Sequence, residues 1–155
     1  MDSKLLLTKE TRAPQRTGGV YVAETSTALG RGIFAGRDFA PGEVVERAPV
    51  ILLDYPMREL SLPVQRVVFN WSKLCDEPER YALVLGFGSI YNHADNPNLR
   101  YSADPAHQAM VYTAVRAIQR GEQLTVSYNQ VPEGAEPRKR NWFEIHQVEQ
   151  IELDR

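Results

Sequence analysis

The sequence predicts a mostly β domain with short helices. Short runs rich in β-branched and aromatic residues recur along the chain, and Gly or Pro turn signals separate most of them. Apolar residues fall at helical intervals chiefly near the C-terminus. Many short strands with little helix are typical of a compact β-rich domain.

The composition predicts one soluble globular domain. The chain has 155 residues, 43% of them hydrophobic and 25% charged, with a formal net charge of -2. No apolar run approaches the ~20 residues that span a bilayer, and Leu5-Leu6-Leu7 is too short for a secretory signal. Lys and Arg form no basic stripe, so we expect neither a membrane nor a direct nucleic-acid partner.

The chain divides into an arm, a domain and a C-terminal segment. Residues 1–18 mix basic residues with Thr, Pro and Gly and keep no hydrophobic period, which predicts a flexible N-terminal arm. Residues 19–143 are expected to form the domain, and 144–155 to pack on it. The domain begins with predicted strands at 20–22 and 29–35.

The next β-type runs are interrupted by Pro49. They cover 44–45 and 49–53. Proline cannot donate to a strand ladder and is rare in central strands, so we predict edge or bent strands here. The mixed apolar pattern over 57–75 predicts a short helix followed by a strand.

The second half of the domain is organised around a polar corner. An apolar run at 81–85 leads into this corner, after which strand-like alternation resumes. Further strands are predicted at 110–115 and 124–128. Apolar residues at helical spacing over 138–153 predict a C-terminal helix.

Three short motifs are candidates for function. They are Gly30-Arg31-Gly32, Asn92-His93 followed by Pro97-Asn98, and the strand from Gly121-Glu122 to Tyr128. Each is weak alone, because a Gly-x-Gly pair is usually a tight turn and a strand-closing tyrosine is usually a core residue. The corner itself fits equally well a turn capped by its asparagines, with the histidine as a satisfied surface group.

Taken together and in this order, the three motifs resemble those of the SET-domain family of protein lysine methyltransferases. The resemblance covers about residues 19–143 and is closest to minimal bacterial and viral members. It implies a mostly β fold of the β-clip type, with several small sheets and a C-terminal segment threaded near the active site. It also implies S-adenosylmethionine (SAM) as the cofactor.

The resemblance assigns five residues to the cofactor alone. Leu29 and Arg31 would meet the methionyl end of SAM, largely through backbone groups, and Asn92 with His93 would hold its polar edges. Trp142 would pack on the adenine.

Two tyrosines complete the site that the resemblance implies. Tyr128 would sit at the methyl transfer point, as the catalytic residue and a cofactor contact, and Tyr101 would line the lysine channel. A narrow aromatic channel suits the chemistry, because an ammonium must lose its water and its proton before the amine can attack the sulfonium methyl. No residue need act as a strong base.

The chain also departs from the family pattern. Ala94 and Asp95 stand where the family commonly has Ser-Cys, and Glu46-Arg47-Ala48-Pro49 has no counterpart of a channel tyrosine that many members carry. Cys75 is the single cysteine, and the three histidines are widely spaced, so we expect no structural zinc or other metal site.

The resemblance therefore predicts a SAM-dependent protein lysine N-methyltransferase acting on a lysine of a protein or peptide, histone-like or basic, as a monomer or homodimer. An alternative is a non-catalytic SET-like module that binds a peptide or SAM, and a third is a small β-rich interaction domain without SAM. A lone cysteine favours a reducing, cytoplasmic location, with delivery into a host cell or the nucleus as a second alternative.

Overall fold

Two five-stranded sheets form the domain. The computed structural model describes residues 15–131 and 134–151, and this part of the chain contains ten strands and three short helices. The strands are β1 (Gln15–Thr17), β2 (Val20–Glu24), β3 (Arg31–Ala35), β4 (Val44–Leu53), β5 (Val68–Asn70), β6 (Tyr81–Val84), β7 (Asn92–His93), β8 (Leu99–Asp104), β9 (Ala109–Ala114) and β10 (Gln123–Val126). The mostly β class with short helices is confirmed.

The helices are α1 (Leu62–Gln65), α2 (Trp71–Cys75) and α3 (Trp142–His146). One 3₁₀ turn, Met57–Glu59, precedes α1, and another, Pro105–His107, lies between β8 and β9. The short helix and strand predicted over 57–75 are confirmed as α1 and β5, and α2 follows them. No helix of the described residues is long and apolar enough to cross a membrane.

The C-terminal helix is shorter than the spacing over 138–153 predicts. It begins after Asn141, whose side chain forms a reciprocal capping box with Glu144, and it ends at Gln147 in the left-handed conformation. A left-handed residue stops the helical hydrogen-bond ladder, so the apolar residues beyond it do not continue one helix.

The first sheet has the strand order β1-β2-β3-β10-β7. Strands β2 and β3 form an antiparallel hairpin, and β10 pairs antiparallel with β3 on one side and parallel with β7 on the other. Strand β10 therefore lies between the glycine hairpin and the Asn-His corner. Strand β1 pairs with β2 and lies inside the range 1–18 of the predicted arm; residues 1–14 lie outside the described part.

The second sheet has the order β5-β6-β4-β9-β8, with β4 at its centre. Edge or bent strands were predicted around Pro49; the structure has instead one strand, β4, which runs from Val44 to Leu53 and is not at an edge of the sheet order. Its pairing with β9 ends at Pro49, while its pairing with β6 begins at Val50. Proline occupies the point where the strand changes partner, so its missing N–H costs little there.

The core lies between the sheets and under α2. Its largest fully buried side chains include Ile33 and Leu124 from the first sheet, Met110 and Tyr112 from the second, and Trp71 from α2. The polar corner sits at the edge of this core, so its side chains must find hydrogen-bond partners.

Candidate active site

The glycine hairpin and the Asn-His corner are joined by one buried amide. The Asn92 side-chain nitrogen donates to the Arg31 carbonyl at 3.0 Å and to Gln123 Oε1 at 2.9 Å. Leu29 precedes Arg31 in the turn, where its N–H donates to the Thr27 hydroxyl at 3.2 Å. We call Leu29, Arg31, Asn92 and His93 the hairpin–corner cluster.

The second glycine of the hairpin has no room for a side chain. A Cβ built on Gly32 would lie 2.7 Å from Gln123 Oε1 and 3.1 Å from the Asn92 side-chain nitrogen. Only glycine allows the backbone of β3 to come this close to the corner. The Gly-x-Gly pattern therefore marks a close approach of backbone to corner as well as a turn.

Asn98 fixes the far end of the corner to β10. Its side-chain nitrogen donates to the Gln123 carbonyl at 2.8 Å, and its side-chain oxygen accepts from the Thr125 N–H at 2.9 Å. Asn98 is part of the Pro-Asn motif, yet the sequence assigned it no role of its own. Its side-chain amide therefore donates and accepts as a backbone peptide group would, and it links the corner to β10.

His93 is held in one tautomer by its partners. Its Nδ1 accepts from the Tyr128 backbone N–H at 3.0 Å, so the proton sits on Nε2 and is donated to Asp95 Oδ1 at 2.9 Å. Gln150 also donates to Asp95, at 3.2 Å. Hydrogen bonds from His93 and then Gln150 lower the pKa of the Asp95 carboxyl.

Tyr128 connects the corner to the other half of the site. Its hydroxyl donates to the Tyr91 carbonyl at 2.8 Å. The ring stacks on Phe143 and meets Trp142 edge-on, with centroids 5.8 and 4.8 Å away. Burial raises the pKa of Tyr128 to about 12, so it keeps its proton at neutral pH.

A cavity of about 720 Å³ opens beside Tyr128. Five of the rings that line it are Phe69, Tyr91, Tyr101, Tyr128 and Trp142, and we call it the aromatic cavity. A volume of this size is in the range of small-molecule and side-chain sites. The rings are one part of a mixed lining, because Arg66, Lys73, Asp76, Glu136 and Arg138 also line the cavity. Among the rings themselves, a charged group without a partner is disfavoured.

Tyr101 lies in the wall of this cavity, as its predicted channel role requires. It is 6% exposed and meets Phe69 edge-on at 5.0 Å between centroids. Its backbone N–H and carbonyl are both bound by the Gln130 side chain. Its hydroxyl forms no hydrogen bond with any side chain or backbone group that the structure describes, and burial raises the pKa of Tyr101.

Trp142 also lines the cavity, at the start of α3. Its backbone N–H donates to the Asn129 side chain at 2.6 Å, which ties α3 to the segment after β10. The indole also contacts the His146 ring, with centroids 4.6 Å apart. The side chain is half-buried, with one part in the aromatic stack and another facing the cavity.

The predicted residues thus form two groups that meet at Tyr128. The hairpin–corner cluster surrounds β10 and does not line the aromatic cavity, whereas Tyr101, Tyr128 and Trp142 do. Sequence reasoning missed four further residues that build these groups. They are Glu46, Tyr91, Asn98 and Gln123, of which the last two stand within the quoted motifs and Tyr91 directly precedes one.

Comparison with known proteins identifies the family. The SET domain model matches residues 30–129. The chain belongs to the SET domain family. It is 28% identical over 102 residues to the Schizosaccharomyces pombe protein named "Histone-lysine N-methyltransferase, H3 lysine-37 specific", a match that covers 64% of this chain and 66% of the yeast protein. Both findings support protein-lysine methyltransferase as the enzyme class.

Solved structures show the same fold. A Plasmodium falciparum protein named as a candidate histone methyltransferase aligns with a TM-score of 0.59 at 20% identity, over 76% of this chain and 98% of that one. A chain of Polycomb Repressive Complex 2 from Chaetomium thermophilum, bound to S-adenosylmethionine, aligns with a TM-score of 0.57 at 21% identity. That alignment covers 76% of this chain and 16% of the other.

Proposed function

We propose that this protein transfers the methyl group of SAM to the ε-amine of a lysine in a protein or peptide substrate. The observation that carries the proposal is the position of Tyr128. It has the polar hairpin–corner cluster on one side and the aromatic cavity on the other. A direct group transfer, without a covalent enzyme intermediate, requires that both substrates are held next to each other, and Tyr128 lies where the two regions meet.

The hairpin–corner cluster suits the polar end of SAM. Asn92 uses its amide nitrogen inside the protein, while its amide oxygen forms no hydrogen bond within the described residues and remains free to accept from an ammonium. The missing side chain at Gly32 lets Gln123 and Asn92 pack directly on the hairpin, which holds the Asn92 amide beside Arg31. Asn92, with backbone groups of Leu29 and Arg31 and with His93 behind it, would hold the cofactor, and Trp142 would cover its adenine.

When bound, SAM supplies an electrophilic sulfonium methyl. The chain must therefore deliver a neutral amine in line with it. A lysine ammonium has a pKa of ~10.4 in water and no free electron pair. Burial between Tyr101 and Tyr128 disfavours the charged form, so the cavity favours loss of the proton before transfer.

Tyr128 acts by position and not as a base. Its raised pKa of about 12 keeps the hydroxyl protonated, and the hydroxyl donates that proton in a hydrogen bond to the Tyr91 carbonyl. The oxygen lone pairs then face away from Tyr91. They can accept from the amine N–H or from the polarised methyl C–H, which orients the reacting groups and stabilises developing charge.

The substrate and setting are part of the proposal. The name of the yeast relative supports a histone-like, lysine-bearing protein as the substrate class. The match spans 66% of that relative, so its specificity is carried over only as a class. A monomer or homodimer in the cytoplasm, the nucleus or a host cell is compatible with a single cysteine that forms no internal disulfide.

One alternative has a specific observation in its favour. Ala94 replaces a hydroxyl that the family corner commonly has, and no tyrosine stands on β4 at residues 46–49. A module that binds SAM or a peptide without transfer would fit these departures. A SAM-free interaction domain is the third candidate, and it would leave Tyr101 and the Asn92 oxygen without ligands.

Labelled transfer separates these candidates. The purified chain is incubated with methyl-tritiated SAM and a core-histone mixture, and labelled bands are mapped by tandem mass spectrometry. The methyltransferase predicts label on lysine that is lost in Tyr128→Phe and kept in Tyr55→Phe, whose residue is exposed. SAM binding by calorimetry without methyl transfer would identify the binding module. The absence of both SAM binding and methyl transfer would identify the interaction domain.

A further inference from the structure

Glu46 is a partly buried carboxylate that the proposed mechanism does not use. It lies in β4, near the start of the central strand of the second sheet. Its Oε1 accepts from the Phe87 N–H at 3.1 Å, and its Oε2 accepts from the Tyr91 hydroxyl at 2.6 Å. The carboxylate does not line the aromatic cavity, so it has no direct contact with a ligand there.

The two groups that Glu46 binds lie at opposite ends of one loop. The loop runs from Gly86 to Tyr91, and within it Gly88, Ser89 and Tyr91 line the aromatic cavity. Gly86 has φ +63°, and a Cβ there would lie 2.9 Å from Glu46 Oε1. One side chain thus fixes both the beginning and the end of a cavity wall.

The end of that loop leads directly to the transfer point. The Tyr91 hydroxyl is bound by Glu46, and the Tyr91 carbonyl accepts the Tyr128 hydroxyl at 2.8 Å. The Tyr91 ring is 2% exposed and packs on Tyr112 with centroids 4.6 Å apart. Moving the Tyr91 ring would therefore move the carbonyl that orients the Tyr128 hydroxyl.

A partly buried carboxylate is an energetically costly group with which to fix the position of a cavity wall. A charge taken out of water is costly unless it is paired or well hydrogen-bonded, and an apolar side chain could fill the same space. Charge-assisted hydrogen bonds are in return shorter and stronger than neutral ones. The 2.6 Å contact to Tyr91 is of this kind, which favours a role in precise orientation.

We propose that Glu46 is a positioning residue for methyl transfer, which fixes the Tyr91 wall and, through the Tyr91 carbonyl, the direction of the Tyr128 hydroxyl. The expected effect on methyl transfer rests on the proposed function. The expected effect on the positions of Tyr91 and the Tyr128 hydroxyl rests on the hydrogen bonds alone. Glu46 stands in the segment that lacks the family's channel tyrosine, and it recruits Tyr91 to form the wall instead.

The kinetic test compares Glu46→Gln with Glu43→Gln. Glutamine has one acceptor oxygen where glutamate has two, so the Phe87 N–H and the Tyr91 hydroxyl can no longer each donate to an oxygen of their own, and the charge of the contact is removed. We expect kcat to fall about tenfold, while KM for SAM changes less than about twofold, because Glu46 forms no hydrogen bond to a residue of the hairpin–corner cluster. Glu43 is bound to Arg37 at the surface, and its substitution should leave both constants unchanged.

A second kinetic comparison excludes a merely structural role. In a Tyr128→Phe background the hydroxyl that Glu46 orients is absent, so Glu46→Gln should then lower kcat by less than about twofold. A general loss of folded protein would lower kcat by the same factor in both backgrounds. Equal factors, or an unchanged kcat in the first comparison, would overturn the proposal.

A nuclear magnetic resonance measurement works without any activity. The protein is labelled at the ¹³Cζ atoms of its seven tyrosines, and the Tyr128 signal is assigned by its disappearance in Tyr128→Phe. The ¹³Cζ shift reports hydroxyl hydrogen bonding, so Glu46→Gln should move the Tyr91 and Tyr128 signals and Glu43→Gln neither. If wild-type protein transfers no methyl, the proposed function fails, yet this shift still decides whether Glu46 orients Tyr128.

Tyr91→Phe keeps the test decisive if Glu46→Gln does not fold. It removes the hydroxyl that binds Glu46 but keeps the ring that packs on Tyr112 and the backbone carbonyl that accepts from Tyr128, so that carbonyl is no longer held by Glu46 and can shift. We expect the same movement of the Tyr128 ¹³Cζ signal and a smaller fall in kcat. An unmoved Tyr128 signal in a folded Tyr91→Phe protein would refute the path from Glu46 to Tyr128.

Discussion

The hairpin–corner cluster and the aromatic cavity meet at Tyr128 but are built in different ways. The cluster depends on amide and backbone hydrogen bonds between short segments, such as Asn92 to the Arg31 carbonyl and Asn98 to the Thr125 N–H. The cavity depends on rings that come from widely separated places along the chain. Hydrogen bonds demand particular groups at particular points, whereas an apolar wall can be formed by many combinations of side chains.

Tyr128→Phe tests the point where the two regions join, and it should have the largest effect. The ring can still pack on Phe143, but the hydroxyl between the Tyr91 carbonyl and the cavity is lost. We expect kcat for methyl transfer to fall about 100-fold, with SAM affinity nearly unchanged. Calorimetry and labelled transfer measure the two quantities, and unchanged turnover would make Tyr128 a core aromatic only.

Asn92→Ala should damage the cluster and leave the cavity wall in place. It removes both hydrogen bonds to the Arg31 carbonyl and Gln123, so the free energy of unfolding should fall by ~1 to 3 kcal/mol and SAM binding should weaken. Asn96→Ala, in the same corner but exposed, is the matched control. Full SAM affinity in a folded Asn92→Ala protein would show that the corner is only a turn and does not bind the cofactor.

The contrast between the regions also explains how far the sequence could predict the site. The motifs around Gly32, Asn92 and Tyr128 were visible because close approach and buried hydrogen bonds tolerate few residue types. Glu46 and Tyr91 were not, because 45 positions separate them along the chain and their contact depends on how β4 packs beside the corner loop. A carboxylate in a strand carries no local sign of such a partner.

The fold was predictable to a similar degree, and it failed where local rules depend on tertiary context. Most strands follow from alternation and turn residues. Pro49 gave a wrong prediction because the sequence cannot show that β4 changes partner at that residue. The C-terminal helix was predicted too long, because apolar spacing does not reveal the left-handed Gln147 that ends it.

Trp142→Ala asks whether the cavity side also closes over the cofactor. If the indole covers the adenine, SAM affinity should fall by ~1 to 2 kcal/mol beyond any loss of stability, as expected for aromatic packing. If it only anchors α3 on Tyr128, the melting temperature should fall with affinity intact in the folded protein. Trp142→Phe should recover most of either loss, and titration beside thermal melting of the same variants separates the two roles.

The smallest effect should come from Asp95, which connects His93 of the cluster to Gln150 of the C-terminal segment. Hydrogen bonds from these two residues lower the pKa of Asp95 below its value in the unfolded chain, which is ~3.9. Its contribution to stability is therefore fully present above that unfolded value and is lost as the pH falls through the lower folded one.

Asp95→Asn keeps a neutral acceptor for His93, so its melting temperature should lie slightly below wild type at neutral pH. The gap should close in strong acid, where both residues are uncharged. Gln150→Ala removes the second donor and should narrow the same gap part of the way. A gap that stayed constant from neutral to strongly acidic pH would mean that the Asp95 charge does not help to hold the C-terminal segment against the corner.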